Sequence, residues 1–130
     1  MERNAEAGGV ARSTEASFSY ASGEPHVVQL DSAESALTPG SPMLTWLATD
    51  LAANTRPWTI VAFHHPPYTK GTHDSDDPAD SGGILQRMRQ NVVPILEAHG
   101  VDLVLAGHSH GYERSFLIDG HYGTTATFAP

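Results

Sequence analysis

Two short aliphatic runs, each ending in histidines, constrain this chain more than any other feature. Trp58-Thr59-Ile60-Val61-Ala62-Phe63 runs into His64-His65-Pro66-Pro67-Tyr68, and Val101-Asp102-Leu103-Val104-Leu105-Ala106 runs into Gly107-His108-Ser109-His110. Near-continuous aliphatic runs of this length read as strands of a parallel sheet buried on both faces. In open α/β sheets, ligand sites collect at the carboxyl ends of such strands, so the chemistry is expected around residues 64 and 108. On extended chain, residues two apart lean the same way, which gives His108 and His110 the spacing of two metal ligands. An isolated H-x-H would read as a polar turn, but two strands each delivering histidines make a constellation. Neutral imidazole is the commonest transition-metal ligand, and Pro66 and Pro67 stiffen the backbone just past His64 and His65.

The rest of the chain supplies the other layers of an α/β fold. A short strand at Phe18-Ser19-Tyr20 and another from His26 to Leu30 precede Ser41-Pro42, which spell an N-cap and a first-turn proline. The helix that follows carries Met43, Leu44, Trp46, Leu47 and Leu51 at helical spacing, with Trp46 expected in the core. A second helix carries Leu85, Met88 and Val92, is expected to kink at Pro94, and ends at Gly100. Residues 1 to 25 read as loop, Tyr68 to Gly83 as a polar loop, Tyr112 to Ile118 as strand-like, and Asp119-Gly120 as the turn of a terminal hairpin. The order strand, helix, strand, helix, strand predicts α/β architecture with right-handed crossovers.

Composition narrows the function classes. The chain has 130 residues, room for one domain, and its apolar runs are too short to cross a membrane. A net charge of −8, with seven lysines and arginines scattered and unclustered, argues against nucleic acid as a partner. The absence of cysteine excludes disulfides and thiolate metal sites. No signal peptide is visible after Met1, and the oligomeric state is left open.

The two histidine blocks resemble those of the calcineurin-like metallophosphoesterases, most closely the purple acid phosphatase-like branch. His64-His65-Pro66-Pro67-Tyr68 is similar to the H-x-P block, and Gly107 through Ser115 is similar to the G-H-x-H block with its Y-E-R extension. Asn4-Ala5-Glu6-Ala7-Gly8-Gly9-Val10 and Val27-Val28-Gln29-Leu30-Asp31 resemble linking segments of the same branch. The resemblance implies a metal-dependent hydrolase of phosphoric esters, built on a partial αββα sandwich that holds two ions of iron, zinc or manganese. It implies that His64 and His108 bind one metal and His110 the other, and that His73 contacts the phosphate or leaving group. Tyr112, Glu113 and Arg114 are expected to orient the histidine loop through ion pairing and hydrogen bonds, and His65, next to His64 on extended chain, is expected to point away and to support or pack instead of ligating. The D-x-H, G-D-x-x-D and G-N-H-D/E blocks of the family are not found in order, since Asp119-Gly120-His121 lies after the histidine block. The chain is therefore expected to be the carboxyl-terminal part of the domain, inactive alone, with a secreted or periplasmic parent favoured.

Four other readings compete. Gly107-His108-Ser109-His110-Gly111 also spells G-x-S-x-G, the nucleophile elbow of α/β-hydrolases, which requires a helix at Gly111 to Ser115. The acidic run from Asp74 to Asp80 invites a calcium loop but lacks the glycine and final glutamate of an EF-hand. A metallo-β-lactamase would continue with Asp-His where this chain has Tyr112-Glu113. A module that binds metal without catalysis remains the non-enzyme alternative. The shared-site reading predicts that ring nitrogens of His64 and His108 approach to about 3 to 5 Å, with His110 facing the same cavity.

Overall fold

The computed structural model describes residues 16 to 129. The expectations that residues 1 to 15 are loop, and that Asn4 to Val10 form a linking segment, lie outside the described residues. Four strands form one sheet in the order β1-β2-β3-β4: β1 Phe18–Ala21, β2 Pro25–Gln29, β3 Trp58–Ala62 and β4 Leu103–Leu105. β1 runs antiparallel to β2, while β2, β3 and β4 are mutually parallel. Gln29 pairs with Ala62 and Ala62 with Leu105, so three carboxyl ends finish side by side. The histidines follow directly from that edge.

Helix α1, Pro42–Ala53, connects β2 to β3, and Met43, Leu44, Leu47 and Leu51 are buried as their spacing demands. They share one cluster with Val28, Leu30, Val61, Phe63, Met88, Val92 and Leu96, while Trp46 packs against it only partly buried. Ser41 precedes the helix as expected but leaves its side chain out of the cap, because its hydroxyl donates to the Ala36 carbonyl at 2.8 Å. The α/β class and the strand-helix order are those expected from sequence.

The second crossover is less regular. It begins as a single turn, α2 Ile84–Arg87, widens into a π-helical stretch Met88–Val92, and resumes as α3 Val93–Ala98 with Pro94 in its first turn. Pro94 has no N–H to offer the carbonyl four residues back, and a π turn is one way a helix absorbs that loss. The helix ends in a Schellman arrangement: Val101 N–H donates to Leu96 O at 3.1 Å and Gly100 N–H to Glu97 O at 3.1 Å, with Gly100 at φ +64°.

Two expectations fail after β4. Tyr112 to Ile118 forms no strand, and no hairpin closes at Asp119-Gly120. The described segment beyond residue 105 is irregular apart from a short 3₁₀ turn at Thr125–Thr127. β4 itself is an edge, with Leu103, Val104 and Leu105 exposed by 48, 38 and 52 %, where the aliphatic run reads as a buried strand. Among the described residues, no helix is long and apolar enough to cross a membrane.

Candidate metal centre

Parallel pairing continues past the strands and docks the histidine loops together. Phe63 N–H donates to Leu105 O at 3.1 Å and Gly107 N–H to His64 O at 3.0 Å. His108 then takes a left-handed backbone, φ +65°. Its ring meets that of His64, with Nδ1 of His108 3.0 Å from Nε2 of His64. Gly71 lets the neighbouring loop come close, since a Cβ there would lie 2.8 Å from Ser109 Oγ. Glu113 fastens the two loops by accepting from the Thr69 hydroxyl and from Lys70 N–H at 2.6 Å. The orienting role expected of the Y-E-R stretch thus falls to Glu113, because Tyr112 is exposed and Arg114 makes no ion pair among the described residues.

His65 does not face away. The chain bends after Ala62, so strand alternation no longer applies, and the His65 ring lies buried, 7 % exposed, with its centroid 4.5 Å from that of His108. Ser32, just past the end of β2, holds it: the hydroxyl accepts from His65 N–H at 3.1 Å and pairs with Nδ1 at 2.9 Å. His73 stacks on His108 with centroids 3.9 Å apart, and its Nδ1 lies 2.9 Å from Asp80 Oδ1. Asp80 also accepts from Asp74 N–H at 2.7 Å and from the Ser81 hydroxyl at 2.7 Å. Those bonds, the Asp74 amide first, then Ser81 and His73, hold its carboxyl down at about 2. Ser81 Oγ in turn lies 2.8 Å from His108 Nε2.

Burial, followed by repulsion between neighbouring imidazolium charges, pushes His65 and His108 below the ordinary histidine range. Both are therefore neutral at neutral pH, the form that ligates metal. Two sets of donors each lie within 4.8 Å of one another: His64, His65 and His108, and His73, Asp80 and His108. His110 joins neither. It is exposed, and its backbone N–H donates to Thr72 Oγ1 at 2.9 Å. Imidazoles with one carboxylate suit a single transition-metal ion, but neither set offers a carboxylate placed between two ions. The donor chemistry fits one ion of the expected pair.

The serine-hydrolase geometry is absent. Gly111 to Ser115 is not helical, no histidine ring among the described residues bonds the Ser109 hydroxyl, and His121 spends its Nε2 on Thr124 O at 3.1 Å. The acidic run is tied up internally: Lys70 pairs with Asp74 at 2.5 Å and Asp76 at 2.9 Å, and Asp77 accepts from Ala79 N–H at 2.8 Å.

Sequence reasoning missed Asp80, Ser81 and Arg89. Arg89 is 2 % exposed, and its Nη1 reaches Pro67 O at 3.4 Å, Ser75 Oγ at 3.2 Å and Asp76 Oδ1 at 3.1 Å. It braces the loops that carry His65 and His73. Its signal was present: Leu85, Met88, Arg89 and Val92 share one helical face, so a charge stands among core positions.

The calcineurin-like phosphoesterase family model matches residues 10–112, which include both histidine blocks. Purple acid phosphatase 18 of Arabidopsis thaliana is 37 % identical over 81 residues, 58 % of this chain and 16 % of that protein. An uncharacterized protein of Mycobacterium tuberculosis is 35 % identical over 89 residues, 65 % of this chain and 16 % of its own length. Purple acid phosphatase 19 of Arabidopsis thaliana is 35 % identical over 103 residues, 74 % of this chain and 25 % of its own. The chain thus spans a quarter or less of these relatives. With the matched region covering both strand ends and the loops that bring His64 and His108 together, this chain belongs to the calcineurin-like phosphoesterase family.

Proposed function

We propose that the protein works as a metal-dependent phosphoric ester hydrolase of the purple acid phosphatase type, with His64 and His108 on one metal ion and His110 on the other. The observation that carries this reading is the 3.0 Å approach of His64 Nε2 and His108 Nδ1 at the ends of adjacent parallel strands. Metal of the iron, zinc or manganese class would polarise the phosphoryl group and acidify a bound water. The protein's part is positional. Ser32 holds His65 against His64 and His108, Glu113 locks the histidine loop to residues 69 and 70, and His73 stands against His108, where a transferring phosphoryl group would meet it.

In this reading His110, exposed beside Thr72, would turn toward the centre to hold the second ion. A secreted or periplasmic location is part of the same proposal. The test is hydrolysis of an aryl phosphate by this chain and by the longest product of its gene, each with zinc, manganese or iron. The longer product should turn over only with metal and lose activity on His108→Ala, while the chain alone stays inactive. Absence of turnover in both sinks the reading. Turnover that survives His108→Ala but is lost on Ser109→Ala transfers the case to a serine hydrolase.

A further inference from the structure

His108 sits between two donor sets. Its Nδ1 faces His64 at 3.0 Å, whereas its Nε2 faces Ser81 Oγ at 2.8 Å, and that hydroxyl donates to Asp80 Oδ1. A neutral imidazole carries one lone pair on its ring nitrogens, so His108 serves one set at a time. Competition between the sets then decides where an ion rests. The His64-His65-His108 set offers imidazoles alone, with no carboxylate. The other set contains a carboxylate, whose negative charge offsets part of a dication's charge in a half-buried site.

That second set is also preorganised. Asp80 is fixed by the Asp74 amide at 2.7 Å and by Ser81. Ser81, φ +50°, and His108, φ +65°, are the non-glycine residues with positive φ among those described, and their side chains touch. Left-handed backbone at such residues is costly and persists where surroundings over-determine it. The donor atoms lie within 4.8 Å of one another, and a tetrahedral ion bonded at about 2.0 to 2.1 Å needs them about 3.3 Å apart. Side-chain rotation of an ångström or so closes that gap.

We propose that this chain by itself binds one divalent transition-metal ion of the zinc class through His73, Asp80 and His108, with a fourth position left open. Asp80 is a ligand that the family resemblance does not include. The site differs from the two-metal arrangement above, and its readout is binding instead of turnover, so either proposal can fail without the other.

The metal-free 130-residue chain is titrated with cobalt, followed by ligand-field absorption, and with zinc by equilibrium dialysis. One ion per chain is expected. Asp80→Asn and His73→Ala should each weaken binding by about tenfold or more, whereas Asp80→Glu retains binding and His99→Ala, at the end of α3, binds as the parent does. Affinities are compared on variants with the parent's far-ultraviolet circular dichroism. No binding, two ions per chain, unchanged affinity in Asp80→Asn, or an equal loss in His99→Ala overturns the proposal.

Discussion

Removing Asp76 should damage this protein more than removing its partner Arg89. The two lie 3.1 Å apart, with side chains 15 % and 2 % exposed. Asp76 has other support: Lys70 Nζ lies 2.9 Å away, and Thr125 N–H donates to it at 2.9 Å. Among the described residues Arg89 has, besides Asp76, only neutral partners, the Pro67 carbonyl, the Ser75 hydroxyl and the Tyr68 ring, and its Nε meets none. Asp76→Ala therefore strands a buried guanidinium, at a cost of about 3 to 5 kcal/mol. Arg89→Met keeps the volume filled, leaves Asp76 paired, and costs about 1 to 2 kcal/mol for the lost hydrogen bonds. For a domain of this size each kcal/mol lowers Tm by about 3 to 5 °C, so thermal and urea denaturation separate the two variants clearly. In the Arg89→Met background, Asp76→Ala should add only about 1 kcal/mol, because no buried cation remains to be stranded. If Arg89→Met proves as destabilising as Asp76→Ala, the contribution comes from packing and the charge argument is refuted.

Two further outcomes follow from the backbone and from a half-buried phenol. At His108, substitution by glycine and by alanine both delete the ring, yet the φ of +65° penalises only alanine, so His108→Gly should be about 1 kcal/mol more stable than His108→Ala. Equal melting temperatures would mean that the loop relaxes out of the left-handed region. Burial, then the nearby charge of Glu97, pushes the Tyr68 phenol up to about 12. The folded protein thus holds that proton more tightly than the unfolded chain. Stability from this group is complete below about pH 10 and is lost as pH rises through about 12. The bond of Tyr122 to Glu97 raises that phenol as well, so phenolate absorbance should show two late steps among the four tyrosines, and an unchanged late amplitude in Tyr68→Phe would contradict the assignment.

Periodicity made the fold legible where local and tertiary demands agree. Met43, Leu44, Leu47 and Leu51 are apolar at helical spacing and all are buried, and the Gly100 stop coincides with a Schellman cap. The strand ends that carry His64 and His108 were readable for the same reason, since an aliphatic run followed by histidines has few alternatives. The partners of those histidines were not readable. Asp80 is one acid in a run with Asp74, Asp76 and Asp77, and its bonds to the Asp74 amide and the Ser81 hydroxyl, which hold it beside His73, have no local sequence signature. Ser32 reaches His65 across 33 residues because β2 and β3 end in register, a fact of pairing that no local pattern encodes. β4 marks the same boundary from the other side. Its three aliphatic residues have the composition of an interior strand, but it pairs only with β3 and stays half exposed. Apolarity records what a strand tolerates on its faces, whereas burial depends on how many neighbours the sheet provides.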